Sequence, residues 1–153
     1  MTDRSPIALV DLKAQYNSYK SEIDHAIQTV LEHAQFIMGP EVSDLESKLS
    51  EFTGAAHTVS CSSGTDALAM MLMVDDIGAG DAVFVPAFTF TATAEVPLLL
   101  GATPVFVDVS PDDFNMSPED LERCILETIK EGKLAPKGII VADLFGMPAN
   151  YAD

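Results

Sequence analysis

The chain has 153 residues, a length that fits one ordinary globular domain. Hydrophobic residues make up 48% of it and charged residues 21%, which excludes an intrinsically disordered chain. It has 24 acidic residues against 8 lysines and arginines, a formal net charge of -16, and no basic run. This charge excludes nucleic acid and anionic membranes as expected partners.

The longest apolar run, Ala67 to Val74, is far shorter than a membrane span. The two cysteines, Cys61 and Cys124, lie in unrelated contexts and have neither metal-ligand spacing nor a disulfide framework. We therefore expect a cytoplasmic protein without a metal site.

The first part of the chain is predicted to be helical. Apolar residues recur every three or four positions from Asp11 to Glu32, which predicts an amphipathic helix. Gly39 and Pro40 interrupt it, and a second helix is expected over about Glu41 to Phe52. Gly54 is a typical residue for ending that helix.

A short strand is predicted next, over Thr58 to Ser60, followed by a turn of serine and glycine residues. The helix after this turn, Ala67 to Val74, is apolar nearly all round, so burial on several sides is expected. Three of its methionines are predicted to pack in the core: Met70, Met71 and Met73.

The rest of the chain alternates strands with helices. Five further elements are predicted, over Ala82–Val85 (strand), Thr89–Leu100 (helix), Pro104–Val109 (strand), Ser117–Glu131 (helix) and Gly138–Ala142 (strand). This order predicts an α/β domain whose mostly parallel sheet has helices on both faces. We expect an N-terminal helical segment, 1–57, and an α/β domain, 58–153, that is incomplete at its C-terminus because no helix follows the last strand.

The turn before the apolar helix is a candidate anion site. Ser62, Ser63, Gly64 and Thr65 stand where a helix leaves backbone N–H groups unpaired and where its dipole is positive. Such a turn suits a phosphate group. The simpler alternative, an ordinary helix cap, stays open.

Two more segments are expected at the same edge of the sheet, because ligands of open α/β sheets lie beyond the carboxyl ends of the strands. They are Pro86 to Phe90 and Asp143 to Gly146. Phe88 could stack on a flat aromatic ligand, or be a core residue. Asp143 could be an acid or simply cap its loop.

Taken together, these residues resemble the front of the DegT/DnrJ/EryC1/StrS family of pyridoxal-phosphate-dependent sugar aminotransferases. The resemblance covers nearly all of the chain, and the order of its pieces is more specific than any one of them. The matching pieces are Asp11–Tyr16, Phe36–Val42, Leu45–Glu46, Cys61–Leu68, Pro86–Ala94, Gly101–Asp108 and Leu144–Gly146.

The resemblance implies a type I aminotransferase fold in a homodimer whose active sites are shared at the subunit interface. It implies that pyridoxal 5'-phosphate is the cofactor, with three residues at its phosphate: Ser63, Gly64 and Thr65. It implies that Phe88 stacks on the pyridine ring. Three residues of an earlier loop would lie near the sugar nucleotide: Met38, Gly39 and Glu41.

The family transfers an amino group, usually from glutamate, to a keto sugar attached to a nucleotide. Its Schiff-base lysine comes later than residue 153, so we expect this chain alone to be inactive. None of the six lysines present is predicted to lie at the cofactor: Lys13, Lys20, Lys48, Lys130, Lys133 and Lys137. Two alternatives stay open, namely a pyridoxal-phosphate-dependent sugar dehydratase of the same fold and a non-catalytic fragment that binds a phosphorylated ligand.

Overall fold

A computed structural model describes residues 9–152, and the chain divides into two units between Ser60 and Cys61. Residues 1–8 of the expected segment 1–57, and residue 153, lie outside the described part. Within that part, no helix combines the length and apolar character needed to cross a membrane.

The first unit contains α1 (Leu12–His33) and α2 (Pro40–Thr53), which confirms the two predicted helices. Asp11 caps α1 by accepting the N–H of Ala14 at 3.0 Å. Helix α2 ends at Gly54, in the left-handed region, as predicted.

The predicted strand over Thr58 to Ser60 is wrong, because these residues form no ladder in the described chain. The N–H and hydroxyl of Ser60 donate instead to Oε1 of Glu46 on α2, both at 2.8 Å. A strand needs a neighbour for its backbone groups, and here a side chain accepts the hydrogen bond.

The second unit is an α/β layer structure, as predicted. Its elements are α3 (Gly64–Val74), β1 (Asp81–Pro86), α4 (Ala92–Leu99), β2 (Thr103–Val107), α5 (Pro118–Glu131), β3 (Ala135–Ile139) and a 3-10 turn (Leu144–Gly146). The three strands are parallel in the order β2-β1-β3, so β1 is central. The predicted parallel sheet is therefore confirmed.

The side chains of β1 alternate between two apolar clusters, which puts helices on both faces of the sheet. Val83 and Val85 pack with residues of α3 and α4, including Leu72 and Val96. Phe84 packs on the opposite face, in a cluster that includes Cys124 of α5. The continuous apolar run of β1 follows from this burial on both sides.

Helix α5 confirms the helix predicted over Ser117–Glu131, and Ser117 caps it by accepting the N–H of Asp120 at 3.2 Å. Helix α4 is shorter than predicted because Phe88 to Thr91 form a loop. Strand β2 ends two residues early, and Val109 instead forms an isolated antiparallel bridge with Met116.

Strand β3 begins three residues earlier than predicted, at Ala135, because the N–H of Ala135 already donates to the carbonyl of Gly80 before β1. Lys137 therefore lies within β3, whereas the predicted strand, Gly138–Ala142, put this residue just before the strand.

The expected burial of α3 is also wrong for the described residues. Leu72 is buried, but the three methionines predicted as core residues are exposed: Met70, Met71 and Met73. Helix α3 packs on α4 through the side that carries Leu68, Ala69 and Leu72, which leaves the rest of its apolar surface in solvent.

Candidate functional site: a helix N-terminus and an aromatic loop

The N-terminus of α3 starts three residues before the predicted helix. Ser63 is its N-cap, and its Oγ accepts the N–H of Asp66 at 3.1 Å. The amides of Gly64 and Thr65 precede any helical acceptor, and neither donates to another group within residues 9–152. A methyl group added at Gly64 would contact nothing within 4 Å. Two unpaired donors and open space at the positive end of a helix suit an anion.

Asp66 contributes a negative charge to the same helical turn. Its Oδ2 accepts hydrogen bonds from the hydroxyls of Ser62 and Ser63, and these bonds hold the pKa of the Asp66 carboxyl below its usual range. The carboxylate offsets the helix dipole from within the turn and occupies both hydroxyls. The backbone amides of Gly64 and Thr65 remain available as donors to a phosphate.

The loop after β1 carries the aromatic candidate. The N–H of Ala87 donates to the carbonyl of Val107 at 2.8 Å, which fixes the start of the loop to β2. The Phe88 side chain follows and is 50% exposed, so it is not a core residue in the described chain. Its ring centroid lies 5.9 Å from that of Phe114 and 6.4 Å from that of Phe145. Beyond the carboxyl end of β1, a half-exposed ring is thus held between two others.

Asp143 acts as a loop cap, the simpler of its two sequence-based interpretations. Its Oδ1 accepts the N–H of Ala149 and the hydroxyl of Tyr151, both at 2.9 Å. The carboxylate raises the pKa of Tyr151 through the hydrogen bond to its hydroxyl. Both partners come from the segment that follows Asp143, so its bonds stabilise the local loop.

The sequence predicted no role for Phe114 and Phe145, whose rings contact Phe88, or for Asn115. Asn115 is a buried polar residue, and its side chain bonds the backbone of residues 144–148. Its bonding partners lie about thirty positions along the chain, so no local spacing could have revealed them. The motif Leu144–Gly146 was part of the resemblance, without a role for the Phe145 ring.

The other predicted site residues lie in the first unit, in the turn between α1 and α2. Met38 is exposed and has a left-handed backbone, and Gly39 is the buried N-cap position of α2. Oε1 of Glu41 lies 2.8 Å from Nε2 of His33, and this hydrogen bond lowers the pKa of the Glu41 carboxyl. These contacts fix Glu41 to the end of α1.

The second unit thus defines a class of protein: an α/β domain with unpaired amides at the N-terminus of α3 and an aromatic loop at the carboxyl end of its central strand. Among residues 9–152, no group of three His, Cys, Asp or Glu side chains is arranged to hold a metal ion.

Residues 17–153 match the DegT/DnrJ/EryC1/StrS aminotransferase family. The chain belongs to this family, and its fold is that of the type I pyridoxal-phosphate aminotransferases. The predicted resemblance and fold class are therefore confirmed.

Similar proteins of known sequence or structure support the assignment. The chain is 44% identical, over 95% of its length, to the UDP-2-acetamido-2-deoxy-3-oxo-D-glucuronate aminotransferase of Pseudomonas aeruginosa and covers 38% of that protein. A DegT DnrJ EryC1 StrS aminotransferase from Brucella abortus superposes with a TM-score of 0.93 at 52% identity, over 95% of this chain and 39% of that one. NtdA from Bacillus subtilis, solved with bound cofactor PMP, superposes with a TM-score of 0.81 at 25% identity, over 98% of this chain and 34% of that one. The chain thus spans little more than a third of these relatives.

Proposed function

We propose that this chain supplies the phosphate and ring contacts for pyridoxal 5'-phosphate in an aminotransferase acting on a nucleotide-linked keto sugar, with glutamate as the amino donor. Support comes from family membership and from the relatives named as aminotransferases of a UDP-linked sugar. When bound, the cofactor acts as the electron sink for moving an amino group, and the protein provides binding and orientation.

The observation that carries the proposal is the N-terminus of α3. The two unpaired amides, on Gly64 and Thr65, and the open space at Gly64 fit a phosphate group without requiring a basic side chain. Ser63 caps the same turn and fixes the direction of these amides. In a chain of net charge -16, local backbone dipoles are the means of attracting an anion.

The ring of the cofactor is proposed to lie on Phe88. This side chain is half exposed, and its ring is braced by two aromatic neighbours, so it offers a flat apolar surface in a fixed place. Met38, Gly39 and Glu41 are proposed to lie near the sugar nucleotide, in a homodimer whose partner completes the site. We further propose residues 1–57 as an N-terminal segment and 58–153 as the start of the cofactor-binding domain, in a cytoplasmic enzyme.

The lysines of the second unit do not offer the amine needed for the chemistry. Lys130 lies in the last turn of α5, Lys133 pairs with Glu131 at 3.3 Å, and Lys137 lies within β3. None of them is on a loop that follows the carboxyl end of a strand. We therefore propose that the chain alone binds the cofactor but does not transfer an amino group.

A binding experiment with matched variants tests the phosphate contacts. Pyridoxamine 5'-phosphate is a suitable probe because it has no aldehyde to react with surface lysines. Pyridoxamine lacks the phosphate, so its affinity measures the contribution of the ring alone. Ser63 and Ser117 are both serine N-caps that accept an N–H from an aspartate three residues on, at 3.1 and 3.2 Å. Replacing either one with alanine should cost about 1 kcal/mol of stability.

Equilibrium dialysis should show that the phosphorylated probe binds at least about tenfold more tightly than pyridoxamine, since bonds to a charged group are worth about 1.5–3 kcal/mol. Ser63→Ala should weaken that binding and Ser117→Ala should not. Equal affinity for the two probes, or equal effects of the two variants, would refute the phosphate site. Formation of 2-oxoglutarate from glutamate and a keto sugar nucleotide by the purified chain would refute its predicted inactivity.

A further inference from the structure

Asn115 is one of few buried polar side chains in the second unit, with 2% of its surface exposed, and it lies between β2 and α5. Its Oδ1 accepts the N–H of Leu144 at 3.2 Å. Its Nδ2 donates to the carbonyls of Met147 and Pro148, at 3.1 and 3.2 Å. Both amide protons and the oxygen are therefore bonded, and all three partners are backbone groups of one loop. The Asn115 side chain thus ties the loop that carries Phe145 to the segment between β2 and α5, whereas the bonds of Asp143 lie within the loop itself.

The backbone is strained both next to Asn115, at Phe114, and in the loop that Asn115 bonds, at Phe145. Phe114 has a φ of 63° and Phe145 a φ of 56°, both in the left-handed region that bulky side chains rarely adopt. Such conformations cost energy and persist only where the surrounding structure holds them. Burial does not hold Phe145, because its side chain is 82% exposed. The hydrogen bonds of Asn115, one of them to the residue just before Phe145, act together with two backbone bonds of the turn and the bond from Ala149 to Asp143 to hold this conformation.

In this strained conformation, the Phe145 ring contacts the ring of Phe88. The Phe145 ring stands nearly edge-on to that of Phe88, at an interplanar angle of 64° and a centroid distance of 6.4 Å. Edge-to-face pairs are favourable and restrict the rotation of both rings. Without the loop bonds, Phe145 could relax to an ordinary backbone conformation and leave Phe88 unsupported on this side.

We propose that Asn115 is a positioning residue for the cofactor ring: it holds Phe145 against Phe88 and so presets the surface on which the pyridine ring stacks. This inference rests on the proposed function, because it takes Phe88 as the stacking residue. It predicts that the loss of Asn115 affects binding of the ring and not binding of phosphate, whose donors are on α3.

Three probes separate these effects: pyridoxamine 5'-phosphate, pyridoxamine and inorganic phosphate. Asn115→Ala removes all three loop bonds and should weaken both pyridoxamine probes by about three- to tenfold, the range for one aromatic contact. The affinity for inorganic phosphate should not change. The induced circular dichroism of bound pyridoxamine 5'-phosphate should also diminish, because the ring would no longer be held in one orientation.

Phe145→Gly provides a second variant that does not depend on a buried substitution. Phe145 is exposed and glycine tolerates a φ of 56°, so the fold should be kept while the ring contact is lost. It should show the same loss for the two pyridoxamine probes. In the double variant, Asn115→Ala should add no further loss, because it acts through a ring that is already absent.

The outcomes distinguish the inference from the proposed function. If the wild-type chain bound neither pyridoxamine 5'-phosphate nor phosphate, both would be overturned. If the wild-type chain bound as expected and Phe145→Gly left pyridoxamine binding unchanged, only the inference would be overturned. An equal loss for phosphate and for pyridoxamine in Asn115→Ala would also overturn it, since that pattern reports general destabilisation.

Discussion

Replacement of Gly64 by alanine should make the protein more stable and the cofactor less tightly bound. Gly64 is the first residue of α3, and a methyl group there would contact nothing within 4 Å. Alanine restricts the unfolded chain and favours a helix, so we expect a gain of about 0.5 kcal/mol in the free energy of unfolding. The packing of the described residues therefore gives no reason for glycine at this position.

Binding should change in the opposite direction. The added methyl group enters the open space beside the two unpaired amides, where the phosphate is proposed to lie close to the backbone. Loss of one amide bond to a charged phosphate costs about 1.5–3 kcal/mol, which weakens binding by about tenfold to a hundredfold. Urea unfolding and dialysis with pyridoxamine 5'-phosphate measure the two effects on the same sample.

Gly132 provides the matched control, because it ends α5 with a φ of 65° and a methyl group there also contacts nothing within 4 Å. Gly132→Ala should lose about 1 kcal/mol of stability, as alanine is disfavoured in the left-handed region, and should bind the cofactor normally. If Gly64→Ala bound pyridoxamine 5'-phosphate as tightly as the wild type, the phosphate would not lie at these amides.

Three further predictions concern stability. Gly39→Ala should lose about 1–3 kcal/mol, measured by urea unfolding, because its Cβ would collide with the carbonyl oxygen of Gln35. Val83→Ala should lose about 2 kcal/mol from a fully buried site, whereas exposed Val74→Ala should change stability by less than about 0.5 kcal/mol. Asp66→Asn should make the thermal midpoint less sensitive to acid. The pKa of the Asp66 carboxyl is lower in the folded protein than in the unfolded chain, where it is about 3.9. The carboxylate therefore stabilises the fold above that unfolded value, and this stabilisation is lost as the pH falls through the lower folded pKa.

Elements that depend on local signals could be predicted from the sequence. The start of α5 is predictable because a serine N-cap, a proline and two acidic residues follow one another at Ser117–Asp120, and β1 is predictable from its continuous apolar run. The start of β3 could not be predicted, because Pro136 and Lys137 look unlike a buried strand. Pairing with β1 makes these residues part of the sheet, and such pairing depends more on the neighbouring strand than on the amino-acid composition of the segment itself.

The candidate site divides in the same way. The turn of serine and glycine residues before α3 is a short-range arrangement of hydroxyl and amide groups, so the sequence predicts it, although the predicted helix starts three residues too late. The aromatic surface depends on a side chain, Asn115, that bonds backbone groups 29 to 33 positions away. Such a bond leaves no periodic pattern, and only the packed structure shows that Phe88 and Phe145 are brought together.

The charge of the chain gives a test that separates a backbone phosphate site from one built of basic side chains. A net charge of -16 repels a phosphate dianion, and the attraction of the α3 N-terminus acts only at short range. Raising ionic strength from 0.01 to 0.15 M shortens the screening length from about 30 to about 8 Å, which suppresses the repulsion more than the local attraction.

Pyridoxamine 5'-phosphate should therefore bind more tightly as sodium chloride is added over this range, whereas pyridoxamine, which lacks the dianion, should show no such gain. At a site made of lysine or arginine the gain should be smaller or reversed, because salt also weakens the attraction between the opposite charges. A dissociation constant for pyridoxamine 5'-phosphate that rises with salt would mean that basic side chains hold the phosphate, and that the amides of Gly64 and Thr65 do not.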